Sequence, residues 1–121
     1  MTAPDLSSAA SVVTLAGDLV DSAVKALAEA GGADANQVVA YDVAHAASAV
    51  ATARAMLDYG AKGELEAAIA CAFIADAVGE LASKVFGREE QWGVSATILD
   101  GARDFVATYR DPDFVASLSA T

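Results

Sequence analysis

The 121-residue chain has few of the residues that most often carry chemistry, since it contains one cysteine, one histidine and one tryptophan. A lone cysteine excludes an intramolecular disulfide. Only seven residues are basic against 17 acidic ones, which gives a net charge of −10. A chain this acidic lacks the basic patch that binds phosphates, so we expect no nucleic-acid partner.

Long apolar runs are also absent, although hydrophobic residues make up 55% of the chain and its mean hydropathy is +0.41. The most apolar stretch, residues 67–77, follows Glu66 and contains Asp76, and a membrane span needs about 20 apolar residues. The first residues, MTAPDLSSAAS, lack the basic and leucine-rich parts of a secretory signal. We therefore expect a cytoplasmic protein without a membrane partner, which forms one domain over residues 1–121.

Alanine-rich segments with apolar residues at three- and four-residue steps predict long helices. The first helix is predicted from about Asp5 to Ala30, where two glycines stop it. The second begins with Asp34 as the N-cap and Gln37 three residues on, as in a capping box, and ends near Tyr59. These two segments are predicted to be antiparallel neighbours because the connection between them is short.

A third helix is predicted from about Glu64 to Phe86, and a turn over residues 88–93 follows it. Ser95 is the expected cap of a fourth helix that stops before Pro112, and a short last helix begins at Asp113. We expect the third helix to direct six apolar residues inward: Ile69, Phe73, Ile74, Ala77, Leu81 and Val85. The predicted fold is all-α, an antiparallel up-down four-helix bundle with a short C-terminal helix.

The second helix carries two neighbouring partly apolar stripes, which indicate contact with two neighbours. The first stripe consists of Val39, Val43, Ala46, Val50, Ala53 and Leu57. The second consists of Val38, Tyr41, His45, Thr52, Met56 and Tyr59. Because so small a core leaves apolar surface exposed in a monomer, we expect a homo-oligomer or a larger complex.

Asp42 and His45 form a carboxylate-x-x-histidine unit of the type that supplies two metal ligands inside four-helix bundles. A dinuclear site needs two such units, and the chain has one histidine. We therefore expect no metal site within one chain, and Asp42 and His45 remain candidates only for a site shared by two chains. The alternative interpretation is a surface histidine that contacts its neighbours.

Cys71 and His45 are the available nucleophile and base, but Cys71 lies in an apolar run that disfavours the thiolate. We therefore expect no catalytic residue.

Two further groups of residues each have a functional and a structural interpretation. The basic residues Arg54, Lys62, Lys84, Arg88, Arg103 and Arg110 either hold an anionic group such as the phosphates of coenzyme A or are solvated charges. The aromatic residues Trp92, Tyr109 and Phe114 either form a docking edge or close the core.

The run AYDVAHAASAVATARAMLDYGAKGELEAAIACAFIADAVGELASKVFG, residues 40–87, resembles a helical segment of the acyl-CoA dehydrogenase family. It is most similar to the helical extension that precedes the dehydrogenase core in methylsuccinyl-CoA dehydrogenase-like members. The resemblance implies a helical module of, or a small subunit beside, an FAD-dependent acyl-CoA dehydrogenase. The family's β-domain and its catalytic glutamate have no counterpart in this chain, so no catalytic residue is carried over.

Two functions are therefore expected from the sequence. The first is a structural or interaction module, associated with an acyl-CoA dehydrogenase core, that neither catalyses a reaction alone nor binds a cofactor alone; FAD would belong to the larger assembly. The alternative is a small-ligand or metal-binding bundle whose site forms at a homodimer interface from Asp42, His45 and their symmetry mates.

Overall fold

The computed structural model describes residues 2–119, and every regular element in that range is helical. In chain order the elements are α1 (Leu6–Glu29), α2 (Gln37–Gly60), α3 (Glu64–Val85), α4 (Glu89–Trp92), a 3-10 turn (Asp100–Ala102), α5 (Arg103–Tyr109) and α6 (Pro112–Leu118). The all-α prediction is confirmed. Over the same residues, no helix is both long enough and apolar enough to span a bilayer.

The ends of α1 lie where the sequence predicts them. The carboxylate of Asp5 accepts hydrogen bonds from the Ser8 N–H at 3.0 Å and from the Ser8 hydroxyl at 2.7 Å, which satisfies a backbone donor that has no partner inside the helix. At the other end, the N–H of Gly32 donates to the Leu27 carbonyl at 2.9 Å. Gly31 and Gly32 have φ values of +105° and +85°, a left-handed backbone that glycine adopts at low cost.

The start of α2 differs from the prediction. α2 begins at Gln37, and the residue that flanks it is Asn36 rather than Asp34. The Asn36 side chain makes no bond to the α2 backbone; its Nδ2 donates to the carbonyls of Ala30 and Gly32, each at 3.0 Å. The predicted capping box at Asp34 and Gln37 is wrong, because the linker uses its amide side chain to satisfy carbonyls that the end of α1 leaves without helical partners.

α2 runs antiparallel to both α1 and α3. α2 packs against both α1 and α3. Gly60, at the end of α2, is close enough to Leu6 at the start of α1 that a Cβ on this glycine would lie 3.0 Å from Leu6 Cδ2. Asp42, near the start of α2, pairs with Arg88, which follows α3. Contacts at both ends of α2 therefore establish that successive long helices run in opposite directions.

The part of the chain after α3 is more segmented than the sequence predicts. Residues 96–99 form turns, the helical backbone resumes with the 3-10 turn, and α5 has only seven residues. A continuous helix capped by Ser95 is therefore not formed. Asp100 and Gly101 are weak helix formers, and a Cβ on Gly101 would lie 3.6 Å from Leu15 of α1, so this break lets the chain approach α1 closely.

The core between the long helices is made largely of alanine and valine. Ala46 is 4% exposed and Ala53 is 5% exposed, and both border a void of about 10 Å³ together with Val13 and Val78. A void of this size leaves no room for a larger side chain. The close approach of alanine-lined helices, which the sequence predicts, is confirmed.

The orientation of α3 is predicted correctly at three of the six inward positions. Ile74, Leu81 and Val85 are buried, whereas Ile69 and Ala77 are half-buried. Phe73 is 38% exposed, so its predicted inward position is wrong. Successive helical residues are about 100° apart, and α3 directs Ile74 rather than the adjacent phenylalanine into the core.

Aromatic side chains close the core at both ends of α1, with Trp92 near its end and Tyr109 and Phe114 near its start. Trp92, Tyr109 and Phe114 are at most 7% exposed. The ring of Tyr109 lies 4.7 Å from that of Phe105 and 5.1 Å from that of Phe114, measured between centroids, which are distances of favourable aromatic pairs. The interpretation of these residues as core rather than as a docking edge is confirmed.

We predict that Ala46→Leu lowers the free energy of unfolding by about 1–3 kcal/mol, because the added atoms have no space between α1, α2 and α3. Ala47→Leu is the matched control, since Ala47 is the next residue and is exposed. Urea unfolding followed by circular dichroism measures both. Equal losses in the two variants would contradict the close packing of this face.

We also predict that Gly93→Ala destabilises the fold more than Gly87→Ala does. Both glycines have left-handed backbones, with φ values of +66° and +82°, which cost a residue with a Cβ about 1–2 kcal/mol. A Cβ on Gly93 would also lie 2.8 Å from the Cβ of Ala26, whereas one on Gly87 would meet nothing within 4 Å. Thermal unfolding of the two variants measures the difference, and identical losses would show that the contact with α1 has no energetic consequence.

Candidate functional site

Asp42 and His45, the metal-ligand candidates of the sequence, contact different partners. The carboxylate of Asp42 pairs with the Arg88 guanidinium at 2.8 Å. The His45 side chain is exposed, and its ring lies 4.4 Å from the ring of Tyr41. Across residues 2–119, no group of three or more histidine, cysteine, aspartate and glutamate side chains is arranged to hold a metal ion. The structure therefore gives His45 the surface role that the sequence left as an alternative.

The structure does not bring Cys71 and His45 together in an accessible site. Cys71 is 0% exposed, whereas His45 lies on the outside of α2. Burial raises the pKa of the Cys71 thiol, which reduces the population of the thiolate that a nucleophilic cysteine requires. Cys71 therefore acts as a small apolar core residue.

Tyr109 connects α5 to the segment before α1. Its hydroxyl donates a hydrogen bond to the Ala3 carbonyl at 2.8 Å. Burial is the largest cause of a raised pKa at this hydroxyl, because the tyrosinate would lose its hydration. The folded chain therefore favours the neutral phenol of Tyr109, and its hydrogen bond joins α5 to the segment before α1.

Basic residues are spread over the molecule rather than gathered around one anion site. Arg88 pairs with Asp42, and Arg110 pairs with Asp76 at 3.3 Å. The guanidinium of Arg54 occupies the space above Gly17, and the ammonium of Lys62 lies 5.9 Å from the centre of the Tyr59 ring. The interpretation as separate surface charges therefore fits four of these residues better than a coenzyme A phosphate site does.

Gly17 has a different neighbour from the one that its sequence position suggests. A glycine within a helix indicates a bend or a close approach of another backbone. Here the nearest atom to a Cβ on Gly17 would be Nη2 of Arg54, so the missing side chain makes room for a guanidinium from α2.

The outer face of α2 is an uncharged strip among the exposed residues of this helix. We use this name for the exposed residues Val38, Tyr41, Ala44, His45, Ser48, Ala51, Thr52 and Ala55. None of them is aspartate, glutamate, lysine or arginine, whereas Arg54 and Asp58 are exposed elsewhere on α2. Exposed charges also occur on α1, at Asp18, Asp21, Lys25 and Glu29, and on α3, at Glu64, Asp76 and Glu80. In a chain with a net charge of −10, this strip lacks the charge that the long helices otherwise expose.

Two of these residues are large and strongly exposed, because Val38 has 65% and Tyr41 has 66% of its surface accessible to solvent. A groove of about 250 Å³ lies between α2 and α3. His45, Ser48 and Thr52 form one side of this groove, and Phe73, Glu80 and Lys84 are on the other. The outer face of α2 and the groove together form a continuous exposed surface.

The sequence pattern identified part of this surface but predicted that another element packs against it. The second stripe of α2 was predicted to contact another element, yet Val38, Tyr41, His45 and Thr52 are exposed. The first stripe is buried at Val43, Ala46, Val50 and Ala53. The sequence feature that identifies this stripe is the lack of charged residues at positions spaced three and four apart. An ordinary solvent-exposed face of an amphipathic helix carries charged residues at such positions.

Comparison of the chain with protein-family models, with curated proteins and with solved structures gives no match in any of the three. The resemblance of residues 40–87 to acyl-CoA dehydrogenases is therefore neither supported nor contradicted by a relative, and it stays a prediction.

We predict that the free energy of unfolding falls as the pH rises above about 9, since burial raises the pKa of Cys71 and of Tyr109 above the ordinary values of 9.0 and 10.0. Both groups release protons more readily in the unfolded chain, so their contribution to stability is complete below these values and is lost as the pH rises through the folded-state pKa. Urea unfolding at a series of alkaline pH values measures the fall. The variant Tyr109→Phe should show a smaller fall than the native chain, and an unchanged profile would contradict the role of its hydroxyl.

Proposed function

We propose that this chain is a helical interaction module without catalysis of its own and that the outer face of α2 is its contact surface. The observation that carries the proposal is the lack of charge on this exposed face of a strongly acidic chain. The lack of charged residues, together with the exposed Val38 and Tyr41, is a feature of surfaces that another protein covers.

The arrangement of the reactive groups supports the absence of independent catalysis. A catalytic site needs a nucleophile or base within hydrogen-bond reach of an orienting group and of the substrate. Here the thiol of Cys71 is buried, the His45 ring contacts the Tyr41 ring, and Asp42 is held by Arg88. These groups occupy different surroundings and have no shared cleft in which a reaction could be assembled.

We further propose that the partner belongs to an acyl-CoA dehydrogenase-like flavoprotein assembly in the cytoplasm. This part of the proposal is supported by the resemblance of residues 40–87, which cover most of α2 and the whole of α3. The resemblance therefore lies on the two helices that carry the exposed surface. In such an assembly the FAD and the acyl-CoA thioester are bound by the dehydrogenase core.

The scaffold in this proposal is an up-down bundle in which α5 takes the fourth position. The packing of α5 against both α3 and α1 supports this description. The alternative function, a metal site formed by Asp42, His45 and their symmetry mates, would require Asp42 to leave Arg88, and no observation favours that exchange.

The proposed function predicts that FAD, acyl-CoA thioesters and divalent metal ions leave the melting temperature of the purified chain unchanged. A ligand that binds the native state at 100 times its dissociation constant would stabilise it by about 2.7 kcal/mol, an easily measured shift. An upward shift with any of these ligands would place a functional site in the bundle and contradict the proposal.

The same proposal predicts that Ala51→Glu weakens whatever protein complex the chain forms, whereas Ala10→Glu does not. Both alanines are exposed, one on the outer face of α2 and one on α1, so the two variants add the same charge. Sedimentation of the chain alone and with a purified acyl-CoA dehydrogenase core measures complex formation. A chain that neither binds this core nor self-associates would overturn the interaction-module proposal.

A further inference from the structure

A cavity of about 360 Å³ opens between α3 and the segment that follows α4. One wall is α3 at Val78, Gly79, Ala82 and Val85, and the other wall is formed within residues 96–107. Small-molecule sites in proteins usually have volumes of about 300–1,000 Å³. Because a water molecule occupies about 30 Å³ in the liquid, the cavity has room for a ligand of about 12 non-hydrogen atoms.

The cavity is open because small residues line both of its walls. Gly79 and Ala82 lie on α3, and Ala96 and Ala107 belong to the opposite wall. Between the three long helices, residues of similar size approach until only a void of about 10 Å³ is left. Beside this part of α3 no long helix follows, since α5 has only seven residues and begins at Arg103, so the space is not filled.

The lining of the cavity is mostly apolar and includes three charged residues: Glu89, Asp100 and Arg103. Within residues 2–119, none of their side chains forms an ion pair. Asp100 and Arg103 are exposed, lie three residues apart and have opposite charges, so their effects on a ligand largely cancel. Glu89 is half-buried and supplies the charge that is not balanced. The nearby cation Arg110 is paired with Asp76.

Phe86 also lines the cavity, and its side chain is 86% exposed, the largest value for a large hydrophobic residue among the described ones. The face of an aromatic ring attracts an organic cation. A carboxylate attracts the same charge and accepts hydrogen bonds from an ammonium group. An exposed ring, an unpaired carboxylate and an apolar cavity together have the chemistry that recognises an amine with an apolar body.

The charge of the whole chain favours the same class of ligand. A net charge of −10 attracts cations and repels anions at long range. An anionic ligand in this cavity would have only Arg103 as a counter-ion, and it would lie beside Asp100 and Glu89. A cationic ligand would instead meet two carboxylates and one guanidinium.

We propose that this cavity binds a small organic cation, with its ammonium group between the Glu89 carboxylate and the Phe86 ring and its apolar body against Val78, Ala82 and Val106. The cavity shares no residue with the outer face of α2 or with the groove between α2 and α3. Ligand binding here is therefore a function in addition to the proposed interaction module.

Titration of the native chain with the n-octylammonium ion tests the proposal. n-Octanol and octanoate are matched probes, because they have the same chain length without charge and with the opposite charge. Backbone amide chemical shifts in NMR spectra measure binding, at about 0.15 M salt to screen long-range attraction and below the concentrations at which the probes form micelles. We expect the ammonium ion to bind most tightly and octanoate most weakly, with the largest shifts in residues 78–89 and 96–107.

Two variants test the groups that hold the ammonium. Glu89→Gln is expected to raise the dissociation constant of n-octylammonium about 10-fold. Glu90→Gln is the matched control, because Glu90 is the next residue, is exposed and does not line the cavity. Phe86→Ala is expected to raise the dissociation constant about threefold. Circular dichroism shows whether the variants are folded, and the comparison of the three probes does not depend on them.

Three results would overturn the proposal: octanoate binding as tightly as n-octylammonium, no saturable binding of the ammonium ion, or equal effects of Glu89→Gln and Glu90→Gln. Arg103→Gln gives a further check, since removal of this cation should not weaken binding of the ammonium ion, and a weaker complex would contradict the assigned charge. The proposed function is tested separately, because complex formation through the outer face of α2 involves none of these residues.

Discussion

The close contact between α1, α2 and α3 is the constraint on which the rest of the structure depends. Alanine and valine dominate the surfaces where these helices meet, and small side chains contribute attraction only if the helix axes approach closely. Gly60 shows the same requirement at one end of α2, where a side chain would press on Leu6 and Ala70. The large aromatic residues are therefore placed outside the three-helix contact, mainly among the C-terminal helices, where they fill the wider space beside α1 and α3.

This constraint also explains which parts of the fold the sequence predicts. The long helices follow from apolar periodicity and from local signals such as Asp5 and the Gly31–Gly32 pair, which act within a few residues. Asn36 was missed because its partners, the carbonyls of Ala30 and Gly32, belong to the preceding helix end. The break around Asp100 was missed because it depends on packing against Leu15. Phe73 was misplaced because α3 buries the pairs Ala70–Cys71 and Ile74–Ala75, and the position between these pairs lies on the exposed side of the helix.

The candidate surface was predictable in its residues but not in its exposure. Periodicity identified Tyr41, His45 and Thr52 as one stripe, and only the fold shows that no element of residues 2–119 covers it. For Cys71 the burial itself was predicted correctly, because the residues around it form an apolar run. The proposed function therefore rests on an exposed strip that lacks charge rather than on reactive groups.

Trp92 gives the molecule a built-in optical reporter. It is the one tryptophan of the chain, it is fully buried, and its indole N–H has no hydrogen-bond partner among the described residues. The adjacent Gly93 contacts the α1 backbone at Ser22 and Ala26, whereas α2 meets α1 near Val13 and Gly17, on the opposite side of that helix. Its fluorescence therefore senses whether α4 stays docked on α1, so the emission of the native chain reports the loss of this contact on unfolding without an added label.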